Sequence, residues 1–247
     1  MKPLRSRPAP GTILGLLVLV ALAVLLGGCR RRPDTQLEFL AATDAEAGPE
    51  GVVSQDRIEE LRGDIAEYQE AVNETVRRLG RIATFQKLLA QELMRAEMYE
   101  PAMEALQTAL SLQTDNAVLY YLAAVTSARS APAHITDGRE QEFLTRAERL
   151  YQRALELRGD YKEALYGYAV LLAFELDRPE DALVHASRLA ELETRDPAVK
   201  FLYANVLVRN GRVDEAIEVY GDLARTAPSA DQRRRAQENR DTLQEER

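Results

Sequence analysis

The chain has 247 residues, 46% hydrophobic and 29% charged, with a formal net charge of −8, two histidines, one cysteine and no tryptophan. That apolar content excludes a disordered chain, and an acidic body repels nucleic-acid phosphate, so no nucleic-acid partner is expected. With 13 Gly and 10 Pro against abundant Ala, Leu, Glu and Arg, the composition predicts an all-α fold.

Residues 1–28 carry Lys2, Arg5 and Arg7 but no acid, so their loss would take the formal charge from −8 to −11. The apolar run Ile13 to Leu26 is shorter than the ~20 residues that span hydrocarbon, as in a signal-peptide core. It ends at Leu26-Gly27-Gly28-Cys29, which resembles the lipobox of bacterial lipoproteins. The resemblance implies cleavage after Gly28 and acylation of Cys29, giving a membrane partner through the N-terminal lipid. The alternative is an uncleaved membrane helix. Arg30, in place of a retention aspartate, implies the outer membrane facing the periplasm. As the one cysteine, Cys29 leaves the exported part without an internal disulfide.

Residues 29–53, with Pro33, Gly48, Pro49 and Gly51, read as a lipidated cysteine and flexible tether. Residues 54–82 predict an amphipathic helix capped by Ser54. Ile58, Ile65, Val72 and Leu79 recur every seven residues, with Leu61, Tyr68, Thr75 and Ile82 between them. Two readings fit this stripe: a cap packed on the first repeat, or the seam of a weak homo-oligomeric coiled coil, since Gly63, Gly80 and Thr75 weaken it.

From residue 83 the sequence repeats itself. Ala90, Ala124, Ala169 and Ala204 are separated by 34, 45 and 35, and Ala102, Ala147, Ala182 and Ala216 by 45, 35 and 34. One insertion, around Ser130 to Glu142, accounts for both long intervals. Its Pro132, Gly138 and scarcity of apolar residues read as a disposable loop.

The spacing resembles the tetratricopeptide repeat family, in which small residues sit where paired helices cross. Tyr203-Ala204, Leu207, Asn210-Gly211, Ala216, Tyr220 and Pro228 carry the resemblance most fully, and Ala147, Tyr151 and Ala154 repeat it. Thr114 in place of proline and Ala186 in place of a bulky residue depart from it. The expected architecture is a helical-hairpin solenoid of about four tetratricopeptide-like repeats over residues 83–228, preceded by the long heptad-patterned helix. Residues 229–247, nearly all polar, are expected to form a fraying C-terminal helix.

His134 and His185 lie in different elements and paired acids such as Glu59 and Glu60 are adjacent, so no metal ligand set or acid–base pair is formed by pattern. No glycine-rich phosphate loop or nucleophile elbow occurs, so no cofactor and no catalytic residue is expected.

The resemblance implies a concave groove lined by the first helices and filled by a protein or peptide partner. Its candidates are Lys87, Gln91, Arg95, Tyr121, Arg129, Tyr166, Phe201, Asn205 and Arg209. This set is basic and aromatic, which suits a partner carrying carboxylates; equally, the aromatics fill gaps between helices and the arginines pair with glutamates. The function expected is a membrane-anchored adaptor or scaffold of the bacterial cell envelope. The alternative is an accessory subunit of a periplasmic solute-transport system.

Overall fold

The computed structural model describes residues 54–246. The lipobox-like Leu26 to Cys29 and the tether lie outside the described residues. The chain divides into two units, 1–66 and 67–247. In the first, the described residues form the opening turns of helix α1 (Gln55–Arg95). Ser54 Oγ accepts the Arg57 N–H at 3.4 Å, so Ser54 starts the helix as its sequence position predicts. No helix boundary occurs at 82/83, because α1 continues without a break into the first repeat.

The second unit is built from helical hairpins, with no strand among the described residues. The C-terminal turns of α1 share a buried cluster, through Ala83, Ala90 and Met94, with Ala102, Leu106 and Ala109 of α2 (Tyr99–Leu112), and α3 (Ala117–Ser130) pairs with α4 (Glu140–Leu157). Then α5 (Lys162–Val170) pairs with α6 (Pro179–Leu192), α7 (Pro197–Arg209) with α8 (Val213–Thr226), and α9 (Ala230–Glu245) closes the unit. Each helix from α2 onward packs on its neighbours in sequence, the pattern of a helical-hairpin solenoid.

The eight repeat alanines explain the hairpins. Ala90, Ala102, Ala124, Ala147, Ala169, Ala182, Ala204 and Ala216 are all 0% exposed. A larger side chain there would hold paired axes apart, and overpacking of this kind costs about 1–3 kcal/mol. One turn further along the second helices, Leu106, Tyr151 and Tyr220 fill the next layer and are buried. The corresponding position is Ala186, and beside it His185 packs against Tyr168 at 4.6 Å between ring centroids.

Each hairpin turns on a residue with positive φ: Glu97 at 58°, Gly138 at 75°, Asp177 at 49° and Gly211 at 70°. The next N–H returns to a carbonyl of the preceding helical segment, Met98 to Leu93 at 2.8 Å, Arg139 to His134 at 3.1 Å and Arg212 to Leu207 at 2.9 Å. These are left-handed C-terminal caps. In the third hairpin the bond runs one residue further, from Arg178 to Leu172 at 2.8 Å. The reason is a π-helical turn, Leu171–Glu175, which absorbs one extra residue between Ala169 and Ala182. The second helices and the first helices that follow them keep a constant separation of 22 from Ala102 to Ala124, Ala147 to Ala169 and Ala182 to Ala204.

Three structures depart from expectation. α1 packs through a different face from the stripe: Ala83, Ala90 and Met94 are buried, whereas the stripe residues Tyr68, Val72, Leu79 and Ile82 are exposed. Packing as a cap therefore applies to the last turns alone. The insertion is more ordered than an open loop. It forms a 3-10 turn, Ala131–His134, in which Ala131 and His134 are buried and the imidazole stacks on Phe143 at 4.2 Å. Ser127 Oγ donates to the Phe143 carbonyl at 2.9 Å, tying α3 to α4. Finally, α9 is docked where fraying was expected: Ser229 and Gln232 form a capping box, Ala236 is fully buried, and Leu243 packs on the last core cluster.

Candidate functional site

The first helices of the hairpins carry side chains at equal offsets from the crossing alanines, so their surroundings are comparable. Three residues before the alanine stand Lys87, Tyr121, Tyr166 and Phe201. Lys87 and Tyr121 are half-buried, Tyr166 is 39% exposed, and Phe201 only 8%. Phe201 is closed off by its neighbours: its centroid lies 6.0 Å from that of Tyr220, and α9 lays the Arg235 guanidinium over its face at 4.9 Å. One residue after the alanine, Gln91 and Asn205 are half-buried. Asn205 Oδ1 accepts the Tyr220 hydroxyl at 2.7 Å, so it serves the helix contact. Phe201 and Asn205 thus fill the interface of α7, α8 and α9; the packing alternative for them is the one the geometry favours.

Tyr121 and Tyr166 are brought together. With Lys162, Glu163, Glu193 and Val199 they line an open pocket of about 360 Å³, closed further by Leu189 and Asp196. The α5 turn presents Lys162, Glu163 and Tyr166, while Asp196 caps α7 by accepting the Ala198 N–H at 2.8 Å. Tyr121 is fixed from behind by an edge-on contact with Tyr161 at 5.2 Å and by Tyr151 at 6.4 Å. Burial raises the Tyr121 hydroxyl pKa, and the Glu163 carboxylate raises it further, so the phenol stays neutral as a donor. Tyr161 is pushed up to about 12 by burial, with Arg158 3.6 Å above its ring. Lys162 is paired with Glu193, whose hydrogen bond raises the ammonium pKa.

The charge of this pocket differs from the expectation of a basic surface. One lysine faces Glu163, Glu193 and Asp196, so the lining is net acidic and favours a cation over a carboxylate. The arginines of the expected set do not line this pocket, although Arg129 is near enough to lower the Tyr121 pKa against the larger effects of burial and Glu163. Arg95 is exposed and paired with Glu92, and Arg129 lies exposed on the last turn of α3. Arg209 pairs with Asp177 and lies 5.5 Å from the Phe174 ring centroid.

Phe174 is the residue that sequence reasoning passed over. It is 44% exposed and stands five residues after Ala169, the same offset that places Arg95, Arg129 and Arg209 after their alanines. That offset was the available signal. Among the described residues no group of three His, Cys, Asp or Glu side chains is placed to hold a metal ion.

Comparison with known proteins agrees with this architecture. Residues 173–238 match the tetratricopeptide repeat family. Among solved structures, TTC0263 of Thermus thermophilus, a thermophilic protein of this repeat type, is 19% identical. The match covers 74% of this chain and 95% of that one at a TM-score of 0.54. YrrB, described as a tetratricopeptide protein with an unusual peptide-binding site, is 22% identical, with 65% and 75% covered and a TM-score of 0.50. MamA from Desulfovibrio magneticus is 16% identical, with 68% and 96% covered and a TM-score of 0.50. At these identities the likeness is one of fold. No curated protein sequence matches the chain.

Proposed function

We propose that this chain is an adaptor of the bacterial cell envelope, anchored through acylated Cys29, whose repeat array holds a segment of a partner protein at the Tyr121–Tyr166 pocket. The observation that carries the binding reading is the half-open Tyr166 beside Glu163 and Asp196, on a wall made by successive first helices. An aromatic face with acids beside it receives the stem and head of an arginine or lysine, combining apolar contact, cation–π attraction and charge. YrrB, similar in fold, is described as having a peptide-binding site. The anchoring reading is carried by Leu26-Gly27-Gly28-Cys29 alone.

Crosslinking in intact cells from a photoreactive side chain at Tyr166 tests the binding reading. A specific partner protein is expected, captured through a basic segment, and its affinity should fall about tenfold or more with Tyr166→Ala if the tyrosine is a hot spot. Unchanged affinity would remove the pocket from the interface. For the anchor, Cys29→Ala should abolish acyl labelling and leave the unprocessed precursor; normal processing would refute it.

A further inference from the structure

Nothing in the second unit covers the outer stripe of α1, and its charge order identifies what fits there. Tyr68, Val72, Leu79, Ile82 and Leu89 recur at intervals of three, four or seven residues, and each is 40–70% exposed. Large apolar side chains in a continuous row mark an interaction surface, whereas scattered ones do not. The polar residues beside the row are segregated. Glu67, Glu70 and Glu74 come first with no base among them, then Arg77, Arg78, Arg81 and Lys87 with no acid from Thr75 to Gln91.

A helix with an acidic half followed by a basic half is complementary to itself, provided the second copy runs the other way. Parallel alignment would set acid beside acid and base beside base. We propose that two copies of this chain associate through α1 as an antiparallel two-helix coiled coil. The contact is isologous, with Tyr68 facing Leu79 of the other copy and Val72 facing Thr75. In that register Arg78 lies across from the other copy's Ala71, between its Glu67 and Glu74, and the twofold axis repeats the contact.

Within one chain Arg77 reaches Glu70 at 2.7 Å and Arg78 reaches Glu74 at 2.8 Å. All four side chains are at least 40% exposed, so these pairs are weak and exchange for intermolecular ones at little loss. The chain's own residues 33–53 are a poorer occupant. Their large apolar side chains are Leu37, Phe39, Leu40, Val52 and Val53, too few and too clustered to cover a row from Tyr68 to Leu89. This inference stands apart from the partner pocket, which lies on α3, α5, the end of α6 and the start of α7.

The test is oxidative crosslinking of the full-length chain in membranes, with the wild type, whose one cysteine is Cys29, as background. The double variant Tyr68→Cys with Leu79→Cys should give a disulfide-linked dimer on a non-reducing gel, and either single variant should not. Dimers from Tyr68→Cys alone and from Ile82→Cys alone would mean parallel helices and overturn the proposal. So would absence of crosslinking together with a monomeric mass for the detergent-solubilised chain, or a photocrosslink from position 68 into residues 33–53 of the same chain. As a second measurement, Val72→Asp with Leu79→Asp would desolvate two carboxylates at the seam and raise the dimer dissociation constant about tenfold or more. Because both positions are exposed in the single chain, the thermal melt should match that of wild type at dilutions where both are monomeric.

Discussion

Replacing Gly167 by alanine tests how closely the second and third hairpins meet. A Cβ on Gly167 would lie 2.5 Å from the Tyr151 hydroxyl oxygen, 2.8 Å from Cζ and 2.9 Å from Cε1. Ordinary contact between such atoms begins near 3.4 Å, so the ring must retreat by the better part of an ångström. It has nowhere to go: Tyr151 is 3% exposed, stacked on Tyr168 at 5.8 Å and against Tyr121 at 6.4 Å. Alanine gains about 1 kcal/mol over glycine in helix propensity, but overpacking a tight core costs about 1–3 kcal/mol plus the displacement of two neighbouring rings. The expected sum is a destabilisation on the order of 1–2 kcal/mol. Gly80→Ala supplies the internal control, because nothing lies within 4 Å of its Cβ and propensity alone should stabilise by about 0.5–1 kcal/mol. Urea unfolding followed by circular dichroism should therefore move in opposite directions for the two substitutions. Adding Tyr151→Phe to Gly167→Ala removes the closest atom and should recover part of the loss. If Gly167→Ala stabilised the chain as Gly80→Ala does, the packing argument would be wrong.

The caps give a second prediction: Glu97→Gly should stabilise by up to about 1 kcal/mol by relieving a positive φ, whereas Gly211→Ala should lower the melting temperature. Shortening the insertion by removing residues 132–138 should destabilise by about 2 kcal/mol or more, since the stack of His134 on Phe143 is lost; a melt superimposable on that of wild type would mean that the segment carries no load. Burial lowers the His185 pKa, and the opposing effect of Asp181 is the smaller of the two. The folded state therefore holds the neutral ring, and the unfolded state, with a pKa of about 6.5, takes up the proton first. Stability should be steady above that value and fall as pH drops below it toward the folded pKa. His185→Gln should flatten this slope in urea midpoints measured between pH 7.5 and 5; an equal slope in wild type and variant would assign the loss to other groups.

What was legible in the sequence was periodic. The eight alanines could be aligned because a helix crossing admits little else, and all eight are fully buried. Likewise Asn210-Gly211 announces its turn because glycine takes a positive φ without strain. The equivalent turns at Glu97 and Asp177 were silent, since positive φ is uncommon for any residue but glycine, and neither a glutamate nor a lone aspartate marks one as glycine does. The insertion was misread for a related reason: its composition is polar, but burial there depends on Phe143, which lies beyond it on α4 and supplies the face that His134 covers. Part of the candidate pocket's lining was legible in the sequence, but its charge was not. Equal offsets led to Tyr121 and Tyr166, but Glu193 and Asp196 reach the same pocket from the end of α6 and the cap of α7, and no repeat offset relates them to α5.

The two ends of the array follow opposite rules. A solenoid leaves one stacking face open at each terminus, and a lone domain in water closes both with polar helices. At the C-terminal end this is done by α9, whose Ala236 and Leu243 face inward while Arg234 pairs with Asp231 on its outer side. At the other end α1 buries Ala83, Ala90 and Met94 inward and presents Phe85, Leu88 and Leu89 outward, each 48% or more exposed. Polar residues would serve at those three positions if closure were the only requirement. Their apolar character, continuous with the row from Tyr68 to Ile82, is what places the proposed second copy at that end.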